Sequence, residues 1–209
     1  MKYIIMCGGK YNYRKQLTRI NGECLVARTI RLLQECGVKD IAISSNDSIF
    51  EQFDVPVLHH KNNFKANVHG GGYWVDAFYP TYQPVCYLFG DVLYSPEAIK
   101  TIVKAKVEDV MFFASAPPFT KDYIKPWAEP FAFKVVATHH FRDCIELCKK
   151  WQDIGLFNRV PIAWELWQVI KDTPLNVIDY TNYEIINDYT CDIDCEADLH
   201  LFEERGVDV

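Results

Sequence analysis

Three short stretches of this sequence carry side chains suited to chemistry on an anion. The first is MCGGKYNYRKQL, residues 6–17, where Cys7, Gly8 and Gly9 close an apolar run. Adjacent glycines let backbone N–H groups converge on an anion with no Cβ in the way. Lys10, Arg14 and Lys15 follow at once and can neutralise phosphate charge. The spacing matches neither GxGxxG nor the GxxxxGKS/T pattern, so a tight turn with solvated cations is the competing reading. The second stretch is LFGDV, with Asp91 where a buried strand should end. A carboxylate there can hold a Mg²⁺ that keeps its waters and takes phosphate oxygens, or can serve as a turn residue. The third is YTCDIDCEADL, 189–199, in which Asp192 and Asp194 straddle Ile193. Alternation in an extended segment puts both on one face, one as a second metal ligand and the other as an N-cap. Asp198 is expected to be solvated on the helix that follows.

The elements that must position these groups alternate between two periods. Strands are expected at 2–6, 40–44, 55–60, 84–91, 108–116 and 130–136, with short candidates at 175–178 and 184–187. Apolar residues at helical spacing mark 25–36, stopped by Gly37, and SPEAIKTIVKAK opens with Ser95 as N-cap and Pro96 at the first helical position. Further helices are expected at 140–151, 161–171 and 195–205, and a glycine-rich turn leads into a short one at 70–80. Strands separated by single helices imply βαβ units and a mostly parallel, three-layer α/β/α sandwich. Ligands of such sheets bind at the carboxyl ends of the strands, where the three stretches fall. No repeat, linker or low-complexity segment divides residues 1–209, which read as a single domain with an acceptor-binding lobe around 115–165.

The 209 residues carry a net charge of −6 and are 49% apolar, which excludes a disordered chain and a broad nucleic-acid footprint. The opening MKYIIMCGG breaks at Gly8, short of a secretory h-region, and no window is long enough to span a membrane. A cytoplasmic protein is the expectation, with its eight cysteines reduced. Cys144 and Cys148, close after His139 and His140, invite a zinc reading, but a four-residue spacing also describes one buried helix face.

The run MKYIIMCGGKYNYRKQLTRINGECLVARTI resembles the opening of the nucleotidyltransferase superfamily that makes NDP-sugars and CDP-alcohols. Lys15-Gln16-Leu17, Gly22 and Leu25 through Ile30 match its KQLxxxxGxPLLxRTI pattern, and Gly90-Asp91 matches its metal aspartate. Ile193 through Leu199 is similar to its late V-D-T-P-E-D-L motif, without the Pro. The signature loop is shorter than the family's, lacks GxGxR spacing and has no Pro before Lys15. The resemblance implies a Mg²⁺-dependent transfer of NMP from an NTP to a phosphorylated small acceptor, with pyrophosphate released. CTP is the first choice of nucleotide and UTP the next, and envelope-glycan precursors are the implied pathway.

In that reading Lys15, Arg14 and Asp91 are catalytic, and Asp91 and Asp194 hold the metal ahead of Asp192. Cys7, Gly8, Gly9 and Lys10 meet the nucleotide's phosphates. HGGGYWVDAF resembles the loop beneath the base, which assigns Gly70, Gly71 and Gly72 to it, with Ser44, Ser45 and Asn46 nearby. Acceptor contacts are expected from Lys125, Glu129 and Arg159, whose stretches mix aromatic and charged residues, while Trp164 and Trp167 read as core. A homodimer is left open. A glycosyltransferase of similar architecture and a non-catalytic nucleotide-binding regulator are the alternatives, although no Asp-x-Asp follows the middle strand.

Overall fold

A strand buried on both faces must be apolar along its length, and YIIM at the start of the chain meets that demand, with residues 3–6 all buried. The computed structural model describes residues 1–8, 14–60, 64, 71–116, 127–194 and 198. In chain order the strands are β1 (Lys2–Met6), β2 (Arg19–Ile20), β3 (Glu23–Cys24), β4 (Ile41–Ser45), β5 (Val57–His59), β6 (Val85–Phe89), β7 (Val92–Leu93), β8 (Val110–Ser115), β9 (Pro130–Val135), β10 (Glu184–Ile186) and β11 (Cys191–Asp192). The helices are α1 (Leu25–Glu35), α2 (Pro96–Lys104), α3 (Thr138–Asp153) and α4 (Ala163–Lys171).

Seven strands form one sheet in the order β10-β8-β9-β6-β1-β4-β5. All neighbours are parallel except at β9, which runs antiparallel to both β6 and β8. The helices pack in pairs, α1 with α2 and α3 with α4, which completes the expected α/β/α layering. Aromatic rings fill the α3–α4 side of the core: Phe133 stacks on Phe112 at 4.4 Å, and Phe112 meets Trp164 edge-on at 4.9 Å. Trp164 and Trp167 are buried, as are Cys144 and Cys148 on α3.

Local signals act as expected at two helix ends. Gly37 sits at φ +81° after α1, and Val38 N–H returns to the Leu33 carbonyl. Ser95 Oγ accepts from Ala98 N–H at the start of α2. The other end of α2 is closed by an unforeseen group. Buried Lys134, on β9, donates to the carbonyls of Ile102, Val103 and Ala105 at 2.8–2.9 Å, and burial pulls its pKa down.

Three expectations are corrected. Residues 175–178 form no strand, because the neighbouring backbone is used otherwise: Gln168 Nε2 donates to the carbonyls of Pro174 and Val177, coiling the segment under the end of α4. The helix expected within 70–80 is a single 3₁₀ turn at Trp74–Ala77. Asp198 is buried rather than solvated, its carboxylate accepting from Asp194 N–H at 2.8 Å. The remainder of the 195–205 helix lies outside the described residues.

β1 and β6 end side by side, Met6 opposite Phe89, and Gly90 N–H donates to the Met6 carbonyl at 3.1 Å. A Cβ on Gly90 would stand 2.6 Å from that carbonyl and 2.8 Å from Cys7 Sγ. Gly90→Ala should therefore lower stability by about 1–3 kcal/mol, read as a reduced urea midpoint at unchanged slope. Lys134→Met should cost a similar amount, about 1–3 kcal/mol, since it strands the Ile102 carbonyl inside the core. Unchanged midpoints would refute either account.

Candidate active site

The carboxyl ends of β1 and β6 open into a cavity of about 500 Å³. Met6 and Gly8 enter it from β1, and Phe89 and Asp91 from β6. Lys15 and Gln16 reach it from the 3₁₀ turn Lys15–Leu17. Buried Tyr94 splices the floor: its hydroxyl accepts from Phe89 N–H at 3.0 Å and donates to the Phe131 carbonyl, joining β6 to β9.

Asp91 and Asp192 are brought together by a two-stranded ribbon. β7 follows Asp91 directly and pairs antiparallel with β11, Asp192 opposite Val92. Ile193 N–H donates to the Asp91 carbonyl at 3.0 Å. Glu129, buried just before β9, accepts from Asp192 N–H at 2.9 Å. Arg28 of α1 pins the ribbon from behind, donating to the Tyr94 carbonyl at 3.1 Å and the Tyr189 hydroxyl at 3.3 Å.

Asp192, Asp91 and Asp194 all line the cavity. Asp192 is half-buried, with its Oδ1 closed off from solvent, and among the described residues that oxygen has no hydrogen-bond partner. Burial first, then the charges of Asp91 and Asp194, push its pKa well up; Lys15 opposes them. Lys15 Nζ stands 2.5 Å from Asp194 Oδ1. Burial alone would draw the ammonium's pKa down, but the hydrogen bond to Asp194 and the charges of Asp192, Asp91 and Asp194 raise it. Lys15 is thus held charged. Among the described residues no three His, Cys, Asp or Glu side chains already converge on one point as a finished metal cage.

Other expected site residues are placed elsewhere. Arg14 turns away from the cavity and pairs with Asp47, Nε to Oδ2 at 2.7 Å. Ser45 is buried and rivets two strand ends, donating to the Cys7 carbonyl at 2.9 Å and accepting from Asp47 N–H at 3.1 Å. The Cys7 thiol is buried, and burial and Asp91 push its pKa up. Gly72 has φ +88° and its carbonyl accepts from Gln152 Nε2, tying this turn to α3. Trp74 and Ala77, not Gly71 or Gly72, line the cavity. Gly9, Lys10, Gly70 and Lys125 lie outside the described residues.

The far side of the cavity, next to β9, is walled by Trp127, Ala128, Glu129, Arg159, Ile162, Trp164 and Tyr180. Arg159 Nε pairs with buried Glu165 at 2.5 Å, and the second Glu165 oxygen accepts from Ile162 N–H at the start of α4. Phe64, Trp74, Phe89 and Tyr180 escaped the sequence reading. Trp74, two residues beyond the glycines, was the nearest to a signal; Tyr180 lies in a segment with no periodicity at all.

Solved structures resemble the chain over nearly its full length. The inositol-1-phosphate CTP transferase from T. maritima aligns at TM-score 0.61 and 13% identity, over 100% of this chain and 97% of that one. A 4-diphosphocytidyl-2C-methyl-D-erythritol synthase from Anaerococcus prevotii aligns at 0.56 and 13%, covering 98% and 96%. CTP:phosphocholine cytidylyltransferase from Streptococcus pneumoniae aligns at 0.53 and 15%, covering 98% of each chain. These identities speak for the fold alone. No curated protein matches the sequence. The sequence pattern of the MobA-like NTP transferase domain, however, matches residues 4–144, well over half of the chain, and to that family the chain belongs.

Proposed function

We propose that the chain transfers NMP from an NTP, CTP first and UTP next, to the phosphate of a small acceptor, releasing pyrophosphate. The observation that carries this reading is the gathering of Lys15, Asp91, Asp192 and Asp194 in one cavity at the ends of β1 and β6. An acceptor phosphate oxygen forms the new bond to the α-phosphorus as the α–β bridging bond breaks, and pyrophosphate leaves with the electron pair. An ionised phosphate needs no general base, so positioning and charge are what the residues must supply. Lys15, kept protonated by its aspartates, offsets charge developing on the α-phosphate. The nucleotide's place is on the β1 side, among Gly8, Gln16 and Trp74, and the acceptor's on the β9 side.

A divalent cation fits the donor set. Three carboxylates face a single lysine, and buried Asp192 Oδ1 is idle, which is an arrangement that a cation relieves. Asp91 and Asp192 would hold Mg²⁺, with Asp194 left to orient Lys15; this reverses the order of Asp192 and Asp194 expected from sequence. When bound, the ion would neutralise charge on the phosphate oxygens.

Asp91→Asn and Lys15→Ala should each lower pyrophosphate release by roughly 10²–10³-fold, the scale of one lost preorganised contact; the urea midpoint should not fall in Asp91→Asn, whereas Lys15→Ala, which leaves three carboxylates without their cation, should lower it. Near-normal turnover in either variant would sink the assignment. Asp192→Asn should raise the melting temperature of metal-free protein, because a crowded buried charge is removed, while turnover falls. A lower melting temperature with unchanged turnover would contradict the role given to Asp192.

A further inference from the structure

The turn that carries Trp74 into the cavity has little secondary structure of its own, only the four residues of 3₁₀ helix at Trp74–Ala77. Its rear is anchored in the core, where buried Phe78 meets Phe133 and Phe141 edge-on at 5.5 and 5.1 Å. Its front is gripped from outside the cavity. Lys149, Gln152 and Asp153 share one face near the end of α3, and each takes a different point of the turn. The Tyr73 hydroxyl donates to the Asp153 carboxylate, 2.8 and 2.9 Å from its two oxygens. Gln152 Nε2 donates to the Gly72 carbonyl at 3.3 Å, and Lys149 Nζ stands 2.6 Å from Asp76 Oδ1. Lys149 Nζ also lies 5.7 Å from the centroid of the Tyr73 ring. Trp74 sits between these contacts, with its ring edge-on to Phe89 at 5.7 Å.

Stability does not explain three such contacts on one turn. Asp153 is exposed and Asp76 half-buried, and ion pairs and hydrogen bonds at such places contribute little to the folded state. Gln152 is the most telling of the three. Its Nε2 makes one long bond, while its Oε1 is buried and has no hydrogen-bond partner among the described residues. An idle buried acceptor is a cost, so this side chain does more for the position of the turn than for the stability of the chain. None of the three residues lines the cavity among the described residues, yet together they fix the segment on either side of Trp74. A ring that is already in place when its ligand arrives spares the entropy of ordering it on binding.

Resting on the function proposed above, we propose that Lys149, Gln152 and Asp153 are positioning residues that hold Trp74 in place for the nucleotide, and so set nucleotide affinity from outside the cavity. Lys149→Met and Gln152→Met should each raise the KM for the best-used nucleoside triphosphate by about two- to fivefold, the scale of one partly exposed contact, with kcat and the acceptor KM unchanged. Lys149→Arg should keep the wild-type value. Gln152→Met should also leave the urea midpoint level or raised, because it removes an idle buried acceptor. A midpoint that falls in step with affinity would mark a merely structural role. Trp74→Ala should raise the same KM, and in that background the two α3 variants should have no further effect, since they act through its ring. Calorimetric titration of each of the four nucleoside triphosphates with Mg²⁺ and no acceptor separates this inference from the reaction itself. Triphosphate binding that the α3 variants do not weaken, or weaken equally with and without Trp74, refutes the positioning role alone. A wild type that binds none of the four refutes it together with the proposed function.

Discussion

Everything around the cavity answers to one electrostatic imbalance: three aspartates held beside one lysine in a place that water only partly reaches. Left to themselves, Asp91, Asp192 and Asp194 would splay outward into solvent, because like charges at such range in a low-dielectric setting repel. The backbone does not permit it. The short ribbon of β7 and β11 fixes Asp192 opposite Val92, the Ile193 amide locks onto the Asp91 carbonyl, and Glu129 holds the Asp192 amide from the β9 side. Arg28 and buried Asp198 brace the same ribbon from behind and from its outgoing end. The fold thus spends backbone pairing and charge-assisted hydrogen bonds to keep a charge arrangement that is unfavourable until a ligand counters it. Such stored cost marks functional sites, where an incoming ligand relieves it.

That pattern also accounts for what could be read from sequence. Periodicity reported the strands and helices well, since burial on both faces of a parallel sheet leaves long apolar runs such as KYIIM and VCYLF. Lys15, Asp91 and Asp194 were visible because each sits directly after an apolar run or within a recognisable pattern. The partner interactions were not. Nothing local in Glu129 says that it will hold an amide sixty-three residues away, and nothing in Arg14 says that Asp47 will claim it. Asp198 looked solvated because a helix surface is the ordinary place for a carboxylate; only the three-dimensional return to Asp194 N–H buries it. The 175–178 segment misled for a related reason. A short apolar stretch resembles a strand until a single side chain, Gln168, takes the Val177 carbonyl within it and that of Pro174 just before it.

The cavity has two walls of different character. On the β1 side Gly8 and Gln16 line a narrow floor, where Gly90 leaves no room even for a methyl group against Met6 and Cys7. On the β9 side the wall is aromatic and donor-rich, assembled from α4, the segment before β9, and Tyr180. One wall is rigid because it is made of strand ends; the other is made of side chains.

The reversed direction of β9 gives this division a further meaning. In a wholly parallel sheet every residue at the cavity's edge would lie just after a strand, on a loop that leads into the next crossover. Because β9 runs the other way, its entrance, not its exit, lies at the cavity, and Trp127, Ala128 and Glu129 arrive there from the chain preceding the strand. The stretch between β8 and β9 begins and ends at that same edge, where Ser115 and Glu129 exchange hydrogen bonds through the Glu129 amide and the Ser115 amide and hydroxyl. Exchanges between these two anchors would leave the register of β1, β6 and β9 unaltered, so this wall of the cavity can change while the cluster of Lys15 and its aspartates stays as it is.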